Sequence, residues 1–304
     1  MSNFEIIAEG LQFPEGPIVM PDGSVVLVEI KRGTLTRCWK GRTEVIARIG
    51  GGPNGAAFGP DGAIYVCNNG GFAWHEANGM TIPGNAAADY ETGRIERVDL
   101  NTGKVDRLYE KIGEHRLSGP NDIVFEKSGA FWFTDLGKRR SRVKEMGGLY
   151  YAKPDGSLLK EVMYGSASGL NGVGLSPDEK VVYAAETDTA RLWAFDIAGP
   201  GEVAPRAPGF MARYVGGRPE HAYFDSLAVQ ANGNICVATI LNGGITTYTP
   251  EGAATHTAFP DPIVTNICFG GADMRDAFIT LSGTGKLIKT RWPEPGLRLN
   301  FAPY

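Results

Sequence analysis

The sequence predicts an all-β chain, one domain over residues 1–304, folded as a six-bladed β-propeller with four-stranded blades. Three observations carry that prediction: an excess of glycine, a near absence of helical periodicity, and an internal repeat. Glycine supplies 42 of 304 residues, about twice the usual ~7% share. There is no period of three, and aromatics are spread throughout, so the glycines mark tight turns between many short strands. No segment keeps apolar residues at i, i+3, i+4 and i+7 over three turns.

The repeat is a short apolar strand, a P-D-G-type turn, a second apolar strand, a third strand usually led by Gly, and a fourth. Turn and second strand read P-D-G-S-V-V-L-V at 21–28, P-D-G-A-I-Y-V-C at 60–67 and K-S-G-A-F-W-F-T at 127–134. They continue as P-D-E-K-V-V-Y-A at 177–184, A-N-G-N-I-C-V-A at 231–238 and a degenerate copy at 272–281. Six units of about 51 residues match the size of a four-stranded propeller blade. The last unit lacks a fourth strand, while F-E-I-I-A at 4–8 precedes the first without partners. The N-terminal segment is therefore expected to close the last blade and remove its open edge. The stretch 70–92, longer than its equivalents, is expected to lie over one mouth.

Charge narrows the partners. With 30 Lys+Arg against 34 Asp+Glu, net −4, the chain is not expected to bind nucleic acid or an anionic membrane. The tight basic cluster, Lys138-Arg139-Arg140 with Arg142, reads as solvated surface. The first ten residues carry two glutamates where a secretory leader would be basic, and no apolar run is long enough to span a membrane. The expectation is a cytoplasmic protein, monomeric or weakly self-associating, with Cys38, Cys67, Cys236 and Cys268 as reduced, buried thiols.

Seven residues upstream of the second residue of each turn stand Glu15, Asn54, Asn121, Asn171 and Asp225. First strands of propeller blades line the central channel, so these side chains fall on one ring about the axis. In the sixth unit the turn spacing selects Asn266 and the strand pattern selects Thr265. Two carboxylates and two or three amide oxygens, without thiolate or imidazole, make a site for one hard divalent cation. Calcium is the first choice, with Mg2+, Mn2+ or Zn2+ as alternatives. Gly16, Gly55 and Gly172 directly follow ring residues and are expected to keep the channel mouth open.

The motifs F-P-E-G-P (13–17), G-P-N-D-I-V-F (119–125), G-L-N-G-V-G-L-S-P-D (169–178) and F-D-S-L-A-V (224–229) resemble one family. It is the gluconolactonase, senescence-marker-protein and luciferin-regenerating-enzyme family, and the resemblance spans essentially the whole chain. It implies a six-bladed propeller with one catalytic divalent metal on its axis, ligated by Glu15, Asn171 and Asp225. Asn121 matches a position that ligates in related phosphotriesterase-type propellers and contacts substrate or a metal-bound water in some lactonases. Lactonases of the family place an arginine two residues before that asparagine; here Gly119 stands there, with Arg116 displaced in the loop.

The reaction expected is hydrolysis of a small lactone, sugar-type or related, to its hydroxy acid, with the metal polarising the carbonyl and activating water. Asp225 is the candidate general base. Asn54, Asn121, Trp74 and Arg116 are the candidate substrate contacts. His75, His115, His221 and His256 show no H-x-x-x-H spacing and read as structural or exposed, although His221 lies four residues before Asp225. No G-x-S-x-G elbow is present, and S-G-T-G-K at 282–286 lacks phosphate-loop spacing. Two other readings stay open: an organophosphate hydrolase of the same architecture, and a non-catalytic binding platform with structural calcium.

Overall fold

A computed structural model describes residues 3–165, 167–207 and 211–303. Among the described residues, six antiparallel sheets form the blades of a propeller, five of four strands and one of five, with three small two-stranded hairpins beside them. The first blade is Pro14–Val19, Val25–Glu29, Thr34–Trp39 and Arg42–Arg48. The second is Pro53–Phe58, Ile64–Asn68, Arg94–Val98 and Val105–Tyr109. The third is Pro120–Phe125, Phe131–Asp135, Gly148–Ala152 and Leu159–Tyr164. In the fourth, Leu170–Leu175, Val181–Glu186 and Arg191–Gly199 are followed by Arg213–Gly217, and Glu202–Val203 also pairs with the third strand. The fifth is Tyr223–Val229, Ile235–Ile240, Gly244–Tyr248 and Ala254–Ala258.

The sixth blade joins the two ends of the chain, as the sequence predicts. Val264–Gly270, Asp276–Leu281 and Lys286–Arg291 receive Glu5–Ala8 as their outer strand, with Glu5 opposite Lys289 and Ile6 opposite Ile288. Thr290 Oγ1 donates to the Asn3 carbonyl at 2.8 Å just outside this pairing. Without Glu5–Ala8 the third strand would present its unpaired backbone edge.

Each strand alternates faces, and adjacent blades pack face to face, so the core is six apolar layers around the ring. Ile18, Val26 and Leu35 of the first blade meet Ile64, Val66 and Val98 of the second. Comparable layers follow between each later pair and between the sixth blade and the first. The first strands contact one another in sequence around the axis, ending with Val264–Gly270 against Pro14–Val19. Cys38, Cys67 and Cys236 are buried, Cys268 is half-buried, and all four are free thiols.

The glycines after the ring residues have a different role from the one expected. A Cβ on Gly55 would stand 2.5 Å from the Asn121 carbonyl oxygen, and one on Gly172 would stand 2.6 Å from the Leu227 amide nitrogen. Both contacts are with backbone of the neighbouring first strand. These glycines therefore set how closely the strands approach one another; they do not hold a mouth open.

The long stretch at 70–92 is not an irregular loop. It folds into a hairpin, Phe72–Ala77 against Met80–Ala86, at one end of the channel. No helix is long and apolar enough to cross a membrane among the described residues.

Candidate functional site

The first strand of every blade changes register at the ring position. Pro53 pairs with Asn68 and Ala56 with Val66, so Asn54-Gly55 oppose a single residue. The same bulge falls on Asn121-Asp122, Asn171-Gly172 and Asp225-Ser226, and a shift follows Glu15 in the first blade. A bulge breaks the alternation of faces and re-aims the side chains at its centre. In the sixth blade the shift lies between Val264 and Asn266, which places Thr265 in the ring and Asn266 one step beyond it.

The entry to each of the first four blades is fixed by the last residue of its second strand. Glu29 accepts from the Gln12 amide at 2.7 Å, and Asn68 from the Gly52 amide at 2.9 Å. Asp135 accepts from Ser118 and Gly119, at 2.8 and 2.7 Å, and Glu186 accepts from Ser168 at 2.8 Å. These polar side chains hold the loop that delivers the ring residue. Burial still lifts the Asp135 carboxyl to about 6, although three backbone amides and Lys138 act against that rise.

Glu15, Asn54, Asn121, Asn171 and Asp225 all line one cavity of about 610 Å3 at the end of the channel that carries the 72–86 hairpin. Glu15 is buried and held: its Oε2 accepts from the Asn266 amide at 2.7 Å and from the Gly16 backbone at 2.8 Å. Burial raises its carboxyl above the ordinary glutamate value despite those hydrogen bonds. Asp225 keeps part of its surface open to the cavity. Its carboxyl is raised well above the aspartate range, by burial first and then by the Glu15 charge, with hydrogen bonding to Asn171 opposing.

Asn171 donates from Nδ2 to Thr187 Oγ1 at 3.1 Å, which orients the amide. Its Oδ1 is buried with no hydrogen-bond partner, and so is Asn121 Oδ1. Buried carbonyl oxygens are ordinarily satisfied, so two of them beside two carboxylates that repel one another make a set that could hold a cation. The donors are all oxygens, which suits a hard divalent ion. No cluster of three or more His, Cys, Asp or Glu side chains that could hold a metal occurs among the described residues. Any ion here would therefore rely on the amides as much as on the carboxylates.

The sequence reading missed Asp122, one step past the ring. Asp122 is buried, accepts from the Ile123 amide at 2.9 Å and the Val173 amide at 3.3 Å, and stands between the blades beneath the ring. Burial and then the Glu15 charge lift its carboxyl to about 7. With Asn266 it borders a smaller cavity, about 250 Å3, on the far side, covered by the C-terminal residues 297–302. The signal available in the sequence was the position after each ring residue, occupied by Gly16, Gly55, Asp122, Gly172, Ser226 and Asn266.

The loop residues separate. Trp74 packs at a tilt against Phe13 and edge-on against Phe72, with centroids 5.2 and 5.9 Å apart, and so backs the apolar wall without lining the cavity itself. Arg116 is exposed, reaches the Glu91 carbonyl at 3.4 Å, and is not among the lining residues. The cations that do line the cavity are Arg139 and Lys144. His75 lines it too, whereas His221 is exposed, 3.4 Å from the hydroxyl of Tyr223, which does line it.

The SMP-30/Gluconolactonase/LRE-like family model matches residues 13–283, which takes in every ring position. The chain belongs to the SMP-30/gluconolactonase/LRE-like family. Within it, the chain is 26% identical over 319 residues to a gluconolactonase of Zymomonas mobilis, covering 94% of this chain and 81% of that one. It is 28% identical over 254 residues to lactonase drp35 of Staphylococcus saprophyticus, covering 82% and 70%. The fold matches that of regucalcin from Agrobacterium tumefaciens, described as a calcium-binding protein, with a TM-score of 0.73, 18% identity and 98% of each chain covered. The family's six-bladed propeller is thus the architecture of this chain.

Proposed function

We propose that this member of the SMP-30/gluconolactonase/LRE-like family is a lactonase, a hydrolase of ester bonds, that depends on a divalent metal and opens a small sugar-type or related lactone. The observation that carries the reading is the pair of unpartnered buried oxygens, Asn121 Oδ1 and Asn171 Oδ1, on the same cavity floor as Glu15 and Asp225. The gluconolactonase and lactonase names of its relatives point the same way.

Glu15, Asn171 and Asp225 would hold the ion, calcium first, with Asn121 as a further oxygen donor. When bound, the ion supplies Lewis-acid polarisation of the ester carbonyl and charge stabilisation of the tetrahedral oxyanion. The side chains of the protein do the rest. Asp225, open to the cavity, accepts a proton from the attacking water as its oxygen bonds to the carbonyl carbon. The same proton then passes to the ring oxygen as the ester C–O bond breaks, so the product is the hydroxy acid. Asn54 and Asn121 position the ring through their amides. The apolar wall of Phe13, Ile30, Phe72 and Ile263 keeps bulk water from the other side of the substrate.

Turnover of a lactone panel, measured before chelation, after it and after readdition of calcium, tests the reading. Loss and recovery of lactone hydrolysis are expected. Undiminished turnover after chelation would remove the metal from the mechanism. Turnover of a phosphofluoridate with no lactone hydrolysed would make the site an organophosphate hydrolase.

A further inference from the structure

The basic run at 138–144 does not face solvent alone. Part of it forms a hairpin, Lys138–Arg139 paired with Lys144–Glu145, beside the mouth of the cavity. Arg139 and Lys144 line the same cavity as Asp225. Its Asp, Glu, Lys and Arg lining residues are Glu15, Arg139, Lys144, Asp188 and Asp225. Glu15 and Asp225 belong to the floor, so the rim carries two cations against one anion.

That single anion pairs with both cations, closely with one and loosely with the other. Lys144 Nζ is paired with Asp188, whereas the nearest Arg139 nitrogen stays 3.6 Å from Asp188, beyond hydrogen-bond distance. Glu145, the other acidic residue of the hairpin, is bonded to Arg140 at 2.8 Å, and Lys138 is buried against the Asn69 carbonyl at 2.6 Å. The Arg139 fork thus keeps its hydrogen-bond donors unused in a loose ion pair with Asp188, beside an ammonium. Such a pair fits a carboxylate. Phe13, Ile30, Phe72, Ile82, Ile240 and Ile263 give the same cavity a continuous apolar wall, with His75, Asn85 and Tyr223 as polar neighbours.

We infer that the substrate of this site is an anionic, partly apolar lactone, with a carboxylate substituent toward Arg139 and Lys144 and its apolar face on the Phe13–Phe72–Ile263 wall. The inference rests on the lactonase reading of the same cavity. The carboxylate created by ring opening forms on the floor, at Asp225, so the rim cations meet a second anionic group that the substrate already carries.

The test compares an alkyl-substituted γ-lactone bearing a side-chain carboxylate with its carboxamide, and with a phosphate-bearing counterpart. The carboxylate form is expected to show kcat/KM about tenfold above the carboxamide, a preference that shrinks as salt is added. Arg139→Gln and Lys144→Gln each lower that ratio, and Asp188→Asn, which removes the competing anion, raises it. Calorimetric binding of a cyclopentanone analogue with the same carboxylate gives a readout without turnover, and its affinity should follow the same order. Equal kcat/KM for carboxylate and carboxamide, unchanged in Arg139→Gln, would overturn the inference and leave the lactonase reading intact. Binding of the analogue that depends on Arg139, with no lactone hydrolysed, would uphold the anion site and overturn the lactonase reading. A preference for the phosphate form would replace the carboxylate with a phosphate.

Discussion

The side-chain amide of Asn266 lies 2.7 Å from Glu15 Oε2, joining the last blade of the ring to the first at the floor of the cavity. Asn266 is thereby the residue that orients a carboxylate of the proposed metal site from outside the ligand set. Partners of this kind set metal affinity through the ligand they hold, with typical losses of about 10–100-fold when removed. Asn266→Ala is expected to weaken calcium binding by about that factor, read by calorimetry. Asn266→Asp should lose less, because the repulsion that its carboxylate adds against Glu15 in the empty site is relieved when the ion binds. Unchanged affinity in both variants would show that Glu15 is positioned by the Gly16 amide and Thr265 without Asn266.

Asp225 has two proposed duties, holding the ion and accepting a proton, and one substitution separates them. Asp225→Asn keeps an oxygen donor but removes the base. A loss of about 10²–10⁴ in kcat is expected, with calcium still bound, although more weakly. Calorimetry on the variant beside its steady-state kinetics checks both halves. Full kcat in Asp225→Asn would take the proton-acceptor role away from it.

Much of this was legible in the sequence, and the reason is the repeat. Six copies of one turn place Glu15, Asn54, Asn121, Asn171 and Asp225 in register without any knowledge of side-chain packing. The unpaired strand at 4–8 could only close the ring. What the repeat could not convey is anything outside it. Trp74 and Arg116 were chosen as loop residues of suitable chemistry, and only the folded hairpins show that Phe72, His75 and Arg139 reach the cavity. Asp122 escaped notice because a bulge aims two successive residues toward the axis, whereas strict alternation would send the second one away.

Gly55 sits between Asn54 and the next blade, where a Cβ would meet backbone atoms of Asn121 and Asp122 at 2.5 Å. Backbone cannot yield as a flexible side chain does, so Gly55→Ala forces two first strands apart. A cost of about 1–3 kcal/mol is expected, in line with overpacking of tight interiors, measured from urea unfolding midpoints. Gly62→Ala is a control of a different kind: its Cβ would meet nothing within 4 Å, but its φ of +79° strains any L residue. Its loss should be the ordinary turn penalty of about 1 kcal/mol, with calcium binding unaffected. Gly55→Ala should weaken calcium binding as well, because Asn121 moves with the displaced strand.

Lys138 is 1% exposed, donates to the Asn69 carbonyl, and stands 4.1 and 4.9 Å from the ring centroids of Phe72 and Tyr90. It ties the 72–86 hairpin, and with it one wall of the cavity, to the third blade. Burial lowers its ammonium to about 7, against the pull of Asp135 and Glu145 and with Arg140 adding to the fall. The folded chain then binds fewer protons than the unfolded one between about 7 and the ordinary lysine value of 10.5. Stability should rise with pH across that window, by up to about 1.4 kcal/mol per pH unit from this group, and this gain should vanish as pH falls through 7. Lys138→Met keeps the length of the side chain and removes the charge, so its unfolding free energy should lack that slope when the two proteins are compared from pH 7 to 10. Parallel slopes in the two proteins would mean that Lys138 is charged in the fold across the whole range. In that case its contacts with Asn69, Phe72 and Tyr90, and not its burial, would govern how the hairpin is held.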